Sequence, residues 1–211
     1  MNKFIVFDLD GTLINTVKGI TVAINETLKH FNYSSVYSEA EIKSFLGHGA
    51  RYLYSKATQK ENINEEEYSY FEVEYVKTQN ISEAYSGVVE TLNKMAIMGV
   101  TLLIFSNKPN GALQYLIKDK LGEIKWSAIQ GNVPEYPTKP DATLLNKIMK
   151  ELNLNPINGY YVGDSCVDIQ TARNAHLKSV ILNYGYGNPL KIEEAQPDYK
   201  FDSFSDLLKL I

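Results

Sequence analysis

Two aspartates separated by one residue stand directly after an apolar run near the beginning of the chain. Residues 4–7 form the run, and Asp8 and Asp10 are followed by Gly11 and Thr12. The run lacks polar alternation, which is typical of a strand buried on both faces of a parallel sheet. Ligands bind at the carboxyl end of such strands, where two neighbouring carboxylates repel each other unless a cation or a proton offsets their charge. Gly11 permits a sharp turn there, and Thr12 offers a hydroxyl and an N–H group to an anion.

Further polar side chains follow other apolar stretches of the chain. Ser106 and Asn107 end a second strand pattern, Asp164 and Asp168 follow a third, and Lys139 precedes a predicted helix. The carboxyl ends of parallel strands meet at one edge of a sheet, so we expect these side chains to converge on the first pair of aspartates.

The predicted cluster combines an excess of carboxylates with one lysine and one hydroxyl. Four carboxylates around one point require a hard divalent cation, and Mg²⁺ fits best because it binds few carboxylates, keeps waters and accepts substrate phosphate. A phosphate group would complete the charge balance, with Lys139 and backbone N–H groups holding its oxygens. Taken singly, Asp164 and Asp168 are also typical of helix N-terminal caps, and Lys139 of a solvated surface. Their combination in this order favours a magnesium-dependent site for a phosphate group.

Hydrophobic periodicity divides the chain into two kinds of structure. From residue 86 onward apolar strands alternate with helices, which predicts an α/β fold with a doubly wound parallel sheet and right-handed crossovers. Between residues 15 and 85 the pattern is helical, with no strand pattern. We therefore predict a sheet core, residues 1–14 and 86–211, and an inserted all-helical unit, residues 15–85, here called the helical insert.

The composition narrows the class of protein. The 211-residue chain is long enough for one large domain or for a core with a smaller insertion, and its net charge of -4 argues against nucleic acid or an anionic membrane surface as a partner. Cys166 is the single cysteine, which leaves no internal disulfide and no cysteine metal site. The three histidines are scattered, and we expect neither a membrane span nor a signal peptide. We expect a cytoplasmic protein, monomeric or homodimeric, whose partner is a small phosphorylated metabolite.

Four segments in this order resemble the motifs of a known family. They are DLDGT, the apolar strand that ends at Ser106, Lys139 followed by Pro140, and GDSCVD at residues 163–168. These segments resemble the four motifs of the haloacid dehalogenase-like hydrolases, and the likeness extends over the whole chain. The resemblance implies a Rossmann-like sheet core, a cap formed by the helical insert, and Mg²⁺-dependent hydrolysis through an aspartyl-phosphate.

The resemblance also implies a role for each matching catalytic residue. Asp8 is expected to be the nucleophile, and Asp10 the general acid and base. Ser106 and Lys139 are expected to bind the transferring phosphoryl group, and Lys139 also to orient Asp8. The chemistry agrees, because a carboxylate that attacks phosphorus directly divides one difficult displacement into two easier ones.

The implied metal site uses residues of the first and last motifs. By the resemblance, Mg²⁺ is held by Asp8, by the backbone carbonyl of Asp10 and by Asp164, with Asp168 close by. A metal there would stabilise charge on the oxygens of the transferring group.

Within this family the chain is similar to phosphoglycolate phosphatase-like enzymes. The features are SNKP at the second motif, YGYG after the strand that follows the fourth, and GHGAR in the helical insert. GHGAR breaks one predicted helix and opens the next, so we expect Arg51, with His48 beside it, to offer its guanidinium to a substrate carboxylate. A simple helix break with a surface arginine is the alternative. Gly11, Thr12 and Asn107 are further predicted substrate contacts.

Three functions remain open on the sequence alone. The first is a phosphatase for a small phosphorylated metabolite, with phosphoglycolate as the leading candidate. The second is a phosphomutase of the β-phosphoglucomutase type, which shares the core motifs but keeps its aspartyl-phosphate until the product binds again. The third is a non-enzymatic phospho-acceptor module similar to a response-regulator receiver domain, although such modules lack the DxDGT order and the long helical insertion.

Overall fold

A six-stranded sheet forms the centre of the structure, a computed structural model that describes residues 3–211. In chain order the strands and α-helices of this range are β1 (Phe4–Phe7), β2 (Ile14–Asn15), α1 (Val17–His30), α2 (Glu39–Lys43), α3 (Ala50–Thr58), α4 (Glu65–Lys77), β3 (Glu83–Ala84), α5 (Val88–Ile97), β4 (Thr101–Pro109), α6 (Asn110–Lys120), β5 (Ala128–Asn132), α7 (Thr143–Glu151), β6 (Gly159–Gly163), α8 (Cys166–Asn174), β7 (Lys178–Leu182), α9 (Pro189–Ala195) and β8 (Tyr199–Phe201). Short 3₁₀ helices occupy Thr78–Ile81, Pro156–Asn158 and Phe204–Leu210.

The sheet is parallel and confirms the predicted α/β fold. Its strand order is β5-β4-β1-β6-β7-β8, so β1 lies in the middle of the sheet, between β4 and β6. Phe7, the last residue of β1, pairs with Ile104 on one side and with Val162 on the other. The Asp8 N–H group donates to the Val162 carbonyl at 2.9 Å. The ends of three adjacent strands therefore meet around Asp8.

Apolar packing covers both faces of the sheet, which explains the continuous apolar run in β1. Ile5 and Phe7 belong to the cluster that α5 and α6 complete, whereas Phe4 and Val6 belong to the cluster on the side of α7. All four side chains are 0% exposed. Complete burial of a large apolar side chain contributes about 1.5–3 kcal/mol, so the strand that carries Asp8 is held firmly on both faces.

The apolar core of the helical insert is formed by α1, α3 and α4 with part of α2, and Ala112 of α6 joins it from the sheet core. Phe71 lies at its centre, and its ring centroid is 5.3 Å from that of Tyr54, 5.3 Å from that of Tyr75 and 5.8 Å from that of Tyr68. Aromatic pairs at such separations add about 0.5–1.5 kcal/mol beyond their burial. The insert therefore has an apolar cluster distinct from the two that flank the sheet.

A two-stranded ribbon joins the helical insert to the sheet core and contradicts the prediction that residues 15–85 contain no strand. β2 and β3 pair antiparallel, Ile14 with Ala84 and Asn15 with Glu83, where the chain leaves and re-enters the sheet core. Each of these strands has only two residues, which is too short for alternation of apolar and polar residues to be recognised in the sequence.

β4 continues through SNKP to Pro109, α9 follows the YGYG segment, and the last helical segment, Phe204–Leu210, is 3₁₀. Within residues 3–211, no helix has both the length and the apolar character that crossing a membrane requires.

We predict that Phe71→Ala lowers the free energy of unfolding by about 3–5 kcal/mol, because it leaves a cavity among the aromatic side chains of the insert. Val73 lies on the same helix and is 55% exposed, so Val73→Ala is the matched control and should change stability by less than about 0.5 kcal/mol. Urea unfolding followed by circular dichroism measures both variants. Equal losses would contradict the central place of Phe71 in the packing of the insert.

Candidate active site

The ammonium group of Lys139 joins two of the predicted aspartates at the carboxyl edge of the sheet. Lys139 Nζ lies 2.9 Å from Asp8 Oδ1 and 2.7 Å from Asp168 Oδ1. All three side chains are buried. The burial of Lys139 opposes its charged form, but attraction to Asp168 and Asp8 outweighs burial and raises the pKa of Lys139 well above its ordinary value. Lys139 is therefore a permanent cation in the centre of the cluster.

Asp168 holds the start of α8 as well as Lys139. Its second oxygen, Oδ2, accepts hydrogen bonds from the N–H groups of Asp164 and Ser165 at 3.1 and 3.0 Å and from Ser165 Oγ at 2.8 Å. These bonds form a capping box on α8. Asp168 thus caps α8, as the alternative interpretation has it, and it also fixes Lys139 relative to the backbone of Asp164.

Three buried carboxylates could hold a cation together. Asp8, Asp164 and Asp168 each offer an oxygen, and these oxygens lie within 4.8 Å of one another. Asp8 Oδ1, although close to Lys139, has no well-directed hydrogen bond within residues 3–211. Such a set of oxygen donors fits a hard divalent cation.

Burial and mutual repulsion disfavour the charged forms of two of these carboxyls. Burial, with the charges of Asp168 and Asp10, raises the pKa of Asp8 to about 6, against the opposing attraction of Lys139. Burial, with the charges of Asp168 and Asp8, raises the pKa of Asp164 well above its ordinary value. When these carboxyls ionise, the site has more negative charge than Lys139 neutralises, and a bound cation would offset it.

Asp10 is paired with a second buried lysine, Lys108, which was not among the predicted site residues. Lys108 Nζ lies 3.0 Å from Asp10 Oδ1 and donates to Tyr75 Oη at 2.9 Å. Burial lowers the pKa of Lys108, and the charges of Asp10 and Asp8 act in the opposite direction. Lys108 is the lysine of the SNKP segment, and its position next to Ser106 and Asn107 in the sequence could have indicated that it belongs to the site. Tyr75 comes from α4, and nothing in the sequence pattern pairs it with Lys108.

A cavity of about 60 Å³ lies between the sheet core and the helical insert. The sheet core contributes the polar part of its wall, including Asp8, Asp10, Ser106, Asn107, Lys108 and Asp164. The insert contributes Lys43, Leu46, Gly47, Gly49, Leu53 and Tyr75. The space between the two units therefore suits a small ligand.

Gly11 and Thr12 shape the turn after β1, behind the wall of the cavity. Gly11 has φ +81°, and a Cβ atom there would lie 2.4 Å from Asp164 Oδ2, so this close approach requires glycine. Its N–H group donates to the Ile14 carbonyl at 3.0 Å, and the Thr12 N–H donates to the Leu9 carbonyl at 3.2 Å. Both N–H groups are used within the turn, and the Thr12 side chain is buried behind the residues that line the cavity, so its contact with an anion stays a prediction.

Asn107 binds two loops of the protein with its side-chain amide. Nδ2 donates to the Gly47 carbonyl at 2.9 Å and to the Lys139 carbonyl at 3.1 Å, while Oδ1 accepts from the Lys139 N–H at 2.7 Å. Asn107 lines the cavity as predicted for a substrate contact, but its amide donors already hold the GHGAR segment and the loop of Lys139.

The placement of Arg51 contradicts the prediction that it faces the active site. On α3, Ala50 and Leu53 point inward, whereas Arg51 lies on the outer side and makes a two-pronged ion pair with Glu65, at 2.9 and 2.6 Å. Successive helical residues are about 100° apart, so the inward orientation of Ala50 turns its neighbour Arg51 outward. The alternative, a surface arginine after a helix break, is correct.

The glycines of the GHGAR segment, rather than its charged side chains, face the cavity. Gly47 and Gly49 line it, and a Cβ atom on Gly49 would lie 3.3 Å from the Asn107 carbonyl oxygen. His48 is exposed and packs against the Tyr52 ring, 4.8 Å between centroids. Its predicted place at the substrate is therefore wrong as well.

Tyr186, in the YGYG segment, connects the fourth motif with the entrance to the helical insert. Its N–H group donates to Asp164 Oδ2 at 2.6 Å. Its hydroxyl accepts from the N–H groups of Thr16 and Val17 at 2.8 and 3.1 Å and donates to Asn15 Oδ1 at 2.8 Å. This bridge was not predictable from the YGYG segment, because it joins residues about 170 positions apart along the chain.

Comparison with known proteins decides the family. A family model described as haloacid dehalogenase-like hydrolase matches residues 5–182, a range that contains all four motifs and the helical insert. The chain belongs to the haloacid dehalogenase-like hydrolases. The resemblance seen in the sequence is thereby confirmed, together with the sheet core typical of this family.

Three relatives show which members of the family this hydrolase resembles. Phosphoglycolate phosphatase 1 from Pseudomonas aeruginosa is 32% identical over 216 residues, which cover 98% of the hydrolase and 78% of the relative. Phosphoglycolate phosphatase from Mannheimia succiniciproducens is 30% identical, with 99% and 98% covered. The crystal structure of a predicted phosphoglycolate phosphatase from Haemophilus somnus matches with a TM-score of 0.86 and 31% identity, over 99% of the hydrolase and 97% of that chain. The relatives are thus phosphoric monoester hydrolases that match nearly the full length of this chain.

We predict that Mg²⁺ raises the melting temperature of the hydrolase more at about pH 7.5 than at about pH 5. The pKa of Asp8 is raised from 3.8 to about 6, so the folded protein binds more protons than the unfolded chain between these values, and its metal-free stability falls as pH rises through them. Above that window the ionised carboxylates are costly without a cation, and Mg²⁺ relieves the cost.

Thermal unfolding with and without Mg²⁺ measures this difference. Asp164→Asn should lose most of the Mg²⁺ response, while Asp119→Asn, which changes a surface carboxylate beside Lys120, should keep it. An equal Mg²⁺ response at both pH values, or an unchanged response in Asp164→Asn, would show that these carboxylates do not hold the metal.

Proposed function

We propose that this hydrolase is a magnesium-dependent phosphatase that acts on a small phosphorylated metabolite, with phosphoglycolate as its preferred substrate. One observation carries the proposal: Asp8 and Asp10 both line the cavity, each beside its own buried lysine. The names of the relatives, phosphoglycolate phosphatases, support the choice of substrate.

Asp8 is the nucleophile of the proposed reaction. One of its carboxylate oxygens forms a bond to phosphorus while the bond from phosphorus to the ester oxygen breaks, which gives an aspartyl-phosphate and releases the alcohol. Lys139, at 2.9 Å from Asp8 Oδ1, orients the carboxylate. The 2.7 Å contact with Asp168 keeps Lys139 in this position.

Asp10 transfers the protons in both halves of the reaction. It donates a proton to the ester oxygen as that bond breaks, and then accepts a proton from the water that attacks phosphorus in the aspartyl-phosphate. The second displacement releases inorganic phosphate and restores the Asp8 carboxylate. Lys108, at 3.0 Å from Asp10 Oδ1, holds the carboxylate for both transfers.

The residues that would hold Mg²⁺ are Asp8, Asp164 and the backbone carbonyl of Asp10. A bound ion would supply neutralising charge to the phosphoryl oxygens. Asp168 fixes the Asp164 backbone through the 3.1 Å bond to its N–H group. Ser106 lines the same wall, where its hydroxyl is available to a phosphoryl oxygen.

The helical insert, residues 15–85, acts as a cap that excludes water from the reaction. It closes over the sheet core, residues 1–14 and 86–211, and leaves a cavity of about 60 Å³. Asn107 holds the insert closed through its 2.9 Å bond to the Gly47 carbonyl. Exclusion of bulk water strengthens each electrostatic interaction within the cavity.

We predict that the purified protein hydrolyses phosphoglycolate in the presence of Mg²⁺, and that Asp8→Asn and Asp10→Asn each lower kcat by at least about a thousandfold. The first variant removes the nucleophile, and the second removes the proton donor. Release of inorganic phosphate measures turnover, with Asp119→Asn as the control for loss of a surface carboxylate. Near-normal turnover in Asp8→Asn would contradict the covalent mechanism. Turnover that depends on an added sugar bisphosphate would instead identify a phosphomutase.

We also predict that Lys139→Ala and Asp164→Asn each lower kcat/KM by roughly two to three orders of magnitude, as expected for lost charge stabilisation. The loss of activity should have a different cause in each variant. Asp164→Asn should raise the Mg²⁺ concentration required for half-maximal activity, whereas Lys139→Ala should weaken inhibition by inorganic phosphate. An unchanged Mg²⁺ requirement in both variants would refute this division of roles.

A further inference from the structure

Lys108 presents a buried ammonium group to the cavity. Its side chain is 0% exposed, and its Nζ atom contacts Asp10 Oδ1 at 3.0 Å and Tyr75 Oη at 2.9 Å. A lysine ammonium has three N–H donors. Within residues 3–211, these two contacts are its side-chain hydrogen bonds, so one donor remains for a ligand in the cavity.

We propose that Lys108 binds the carboxylate of the leaving group and thereby selects phosphoglycolate over neutral phosphate esters. This inference rests on the proposed function, because it concerns the substrate of that same site. In phosphoglycolate a single methylene joins the ester oxygen to the carboxylate. A group that recognises the carboxylate must therefore lie next to the group that protonates the ester oxygen. Asp10 is the group that protonates the ester oxygen, and Lys108 lies beside it.

The other cations near the cavity are placed less well for this contact. Lys139 is held between Asp8 and Asp168 on the phosphoryl side. Lys43 is exposed at the rim, with its Nζ 5.6 Å from the centroid of the Tyr186 ring. A buried cation binds a carboxylate more strongly than an exposed one, since solvent screens it less.

The contact with Tyr75 connects this recognition to the helical insert. Tyr75 belongs to α4, whereas Lys108 belongs to β4 of the sheet core. Tyr75 is buried and its ring lies 4.5 Å from Lys108 Nζ. The Tyr75 hydroxyl therefore fixes the ammonium in its position beside Asp10 when the insert covers the cavity.

Lys108→Met tests the proposal, because methionine is unbranched like lysine but carries no charge. The measured quantity is the ratio of kcat/KM for phosphoglycolate to kcat/KM for ethyl phosphate, in which a methyl group replaces the carboxylate. We expect this ratio to fall by about ten- to a hundredfold in the variant, as for the loss of one hydrogen bond between charged groups. Lys77→Met, on the exposed end of α4, is the matched control and should keep the ratio.

A lysine that only positions Asp10 would lower kcat on both substrates by the same factor, and an unchanged ratio would overturn the proposal. A collapse of the ratio in Lys43→Met but not in Lys108→Met would also overturn it. Wild-type protein that hydrolyses other phosphate esters but not phosphoglycolate would refute the proposed substrate itself, which is a distinguishable result.

Binding without turnover keeps the test decisive if Lys108→Met is nearly inactive. Calorimetric titration of Asp8→Asn and of Asp8→Asn with Lys108→Met, both with phosphoglycolate, compares affinities in proteins that do not react. Circular dichroism checks that both are folded. We expect the second protein to bind about ten- to a hundredfold more weakly, and equal affinity would overturn the proposal.

Discussion

The ion pairs of Lys139 with Asp8 and Asp168 are the interaction on which the rest of the site depends. One ammonium group, buried between two carboxylates at 2.9 and 2.7 Å, fixes the end of β1 relative to the start of α8. Buried ion pairs are commonly no more stabilising than apolar side chains of the same volume, because desolvation offsets the attraction. Their presence here is better explained by chemistry than by stability. The raised pKa of Asp8 is consistent with this explanation, because the ionised form of Asp8 is costly until a cation binds.

The order of the strands brings these charged groups together. β1 lies between β4 and β6, so the first motif has the second and the fourth motifs as neighbours. Apolar clusters on both faces of the sheet hold β1 in place while its carboxyl end carries the charges. The helical insert then closes the charged edge, and Tyr75 and Gly47 contact Lys108 and Asn107 of β4 directly. Two apolar clusters thus hold the sheet core in place, and a different cluster stabilises the insert that closes over it.

The sequence predicts the groups that strand ends bring together, because parallel pairing alone decides their position. Asp8 and Asp164 converge for that reason, and continuous apolar runs mark β1 and β4, whereas the capping box of α8 brings Asp168 to the same place. Contacts between the two units were not predictable, since Tyr75 and Lys108 are 33 residues apart and meet only after the insert folds onto the sheet core. The helical break at GHGAR was predicted correctly, but the outward direction of Arg51 depends on which face of α3 packs inward. The ribbon of β2 and β3 is too short to leave any periodicity.

The central claim is that Asp8 becomes covalently phosphorylated, and trapping of that species tests it most directly. The Asp10→Asn protein is mixed rapidly with Mg²⁺ and p-nitrophenyl phosphate, a substrate whose leaving group needs little protonation. The first step can therefore proceed, but the variant lacks the base that activates water for the second step. We expect a burst of p-nitrophenol close to one equivalent per protein, and mass spectrometry of the acid-quenched peptides should find phosphate on Asp8. Phosphate on another residue, or slow release of p-nitrophenol with neither a burst nor a phosphorylated Asp8, would contradict it.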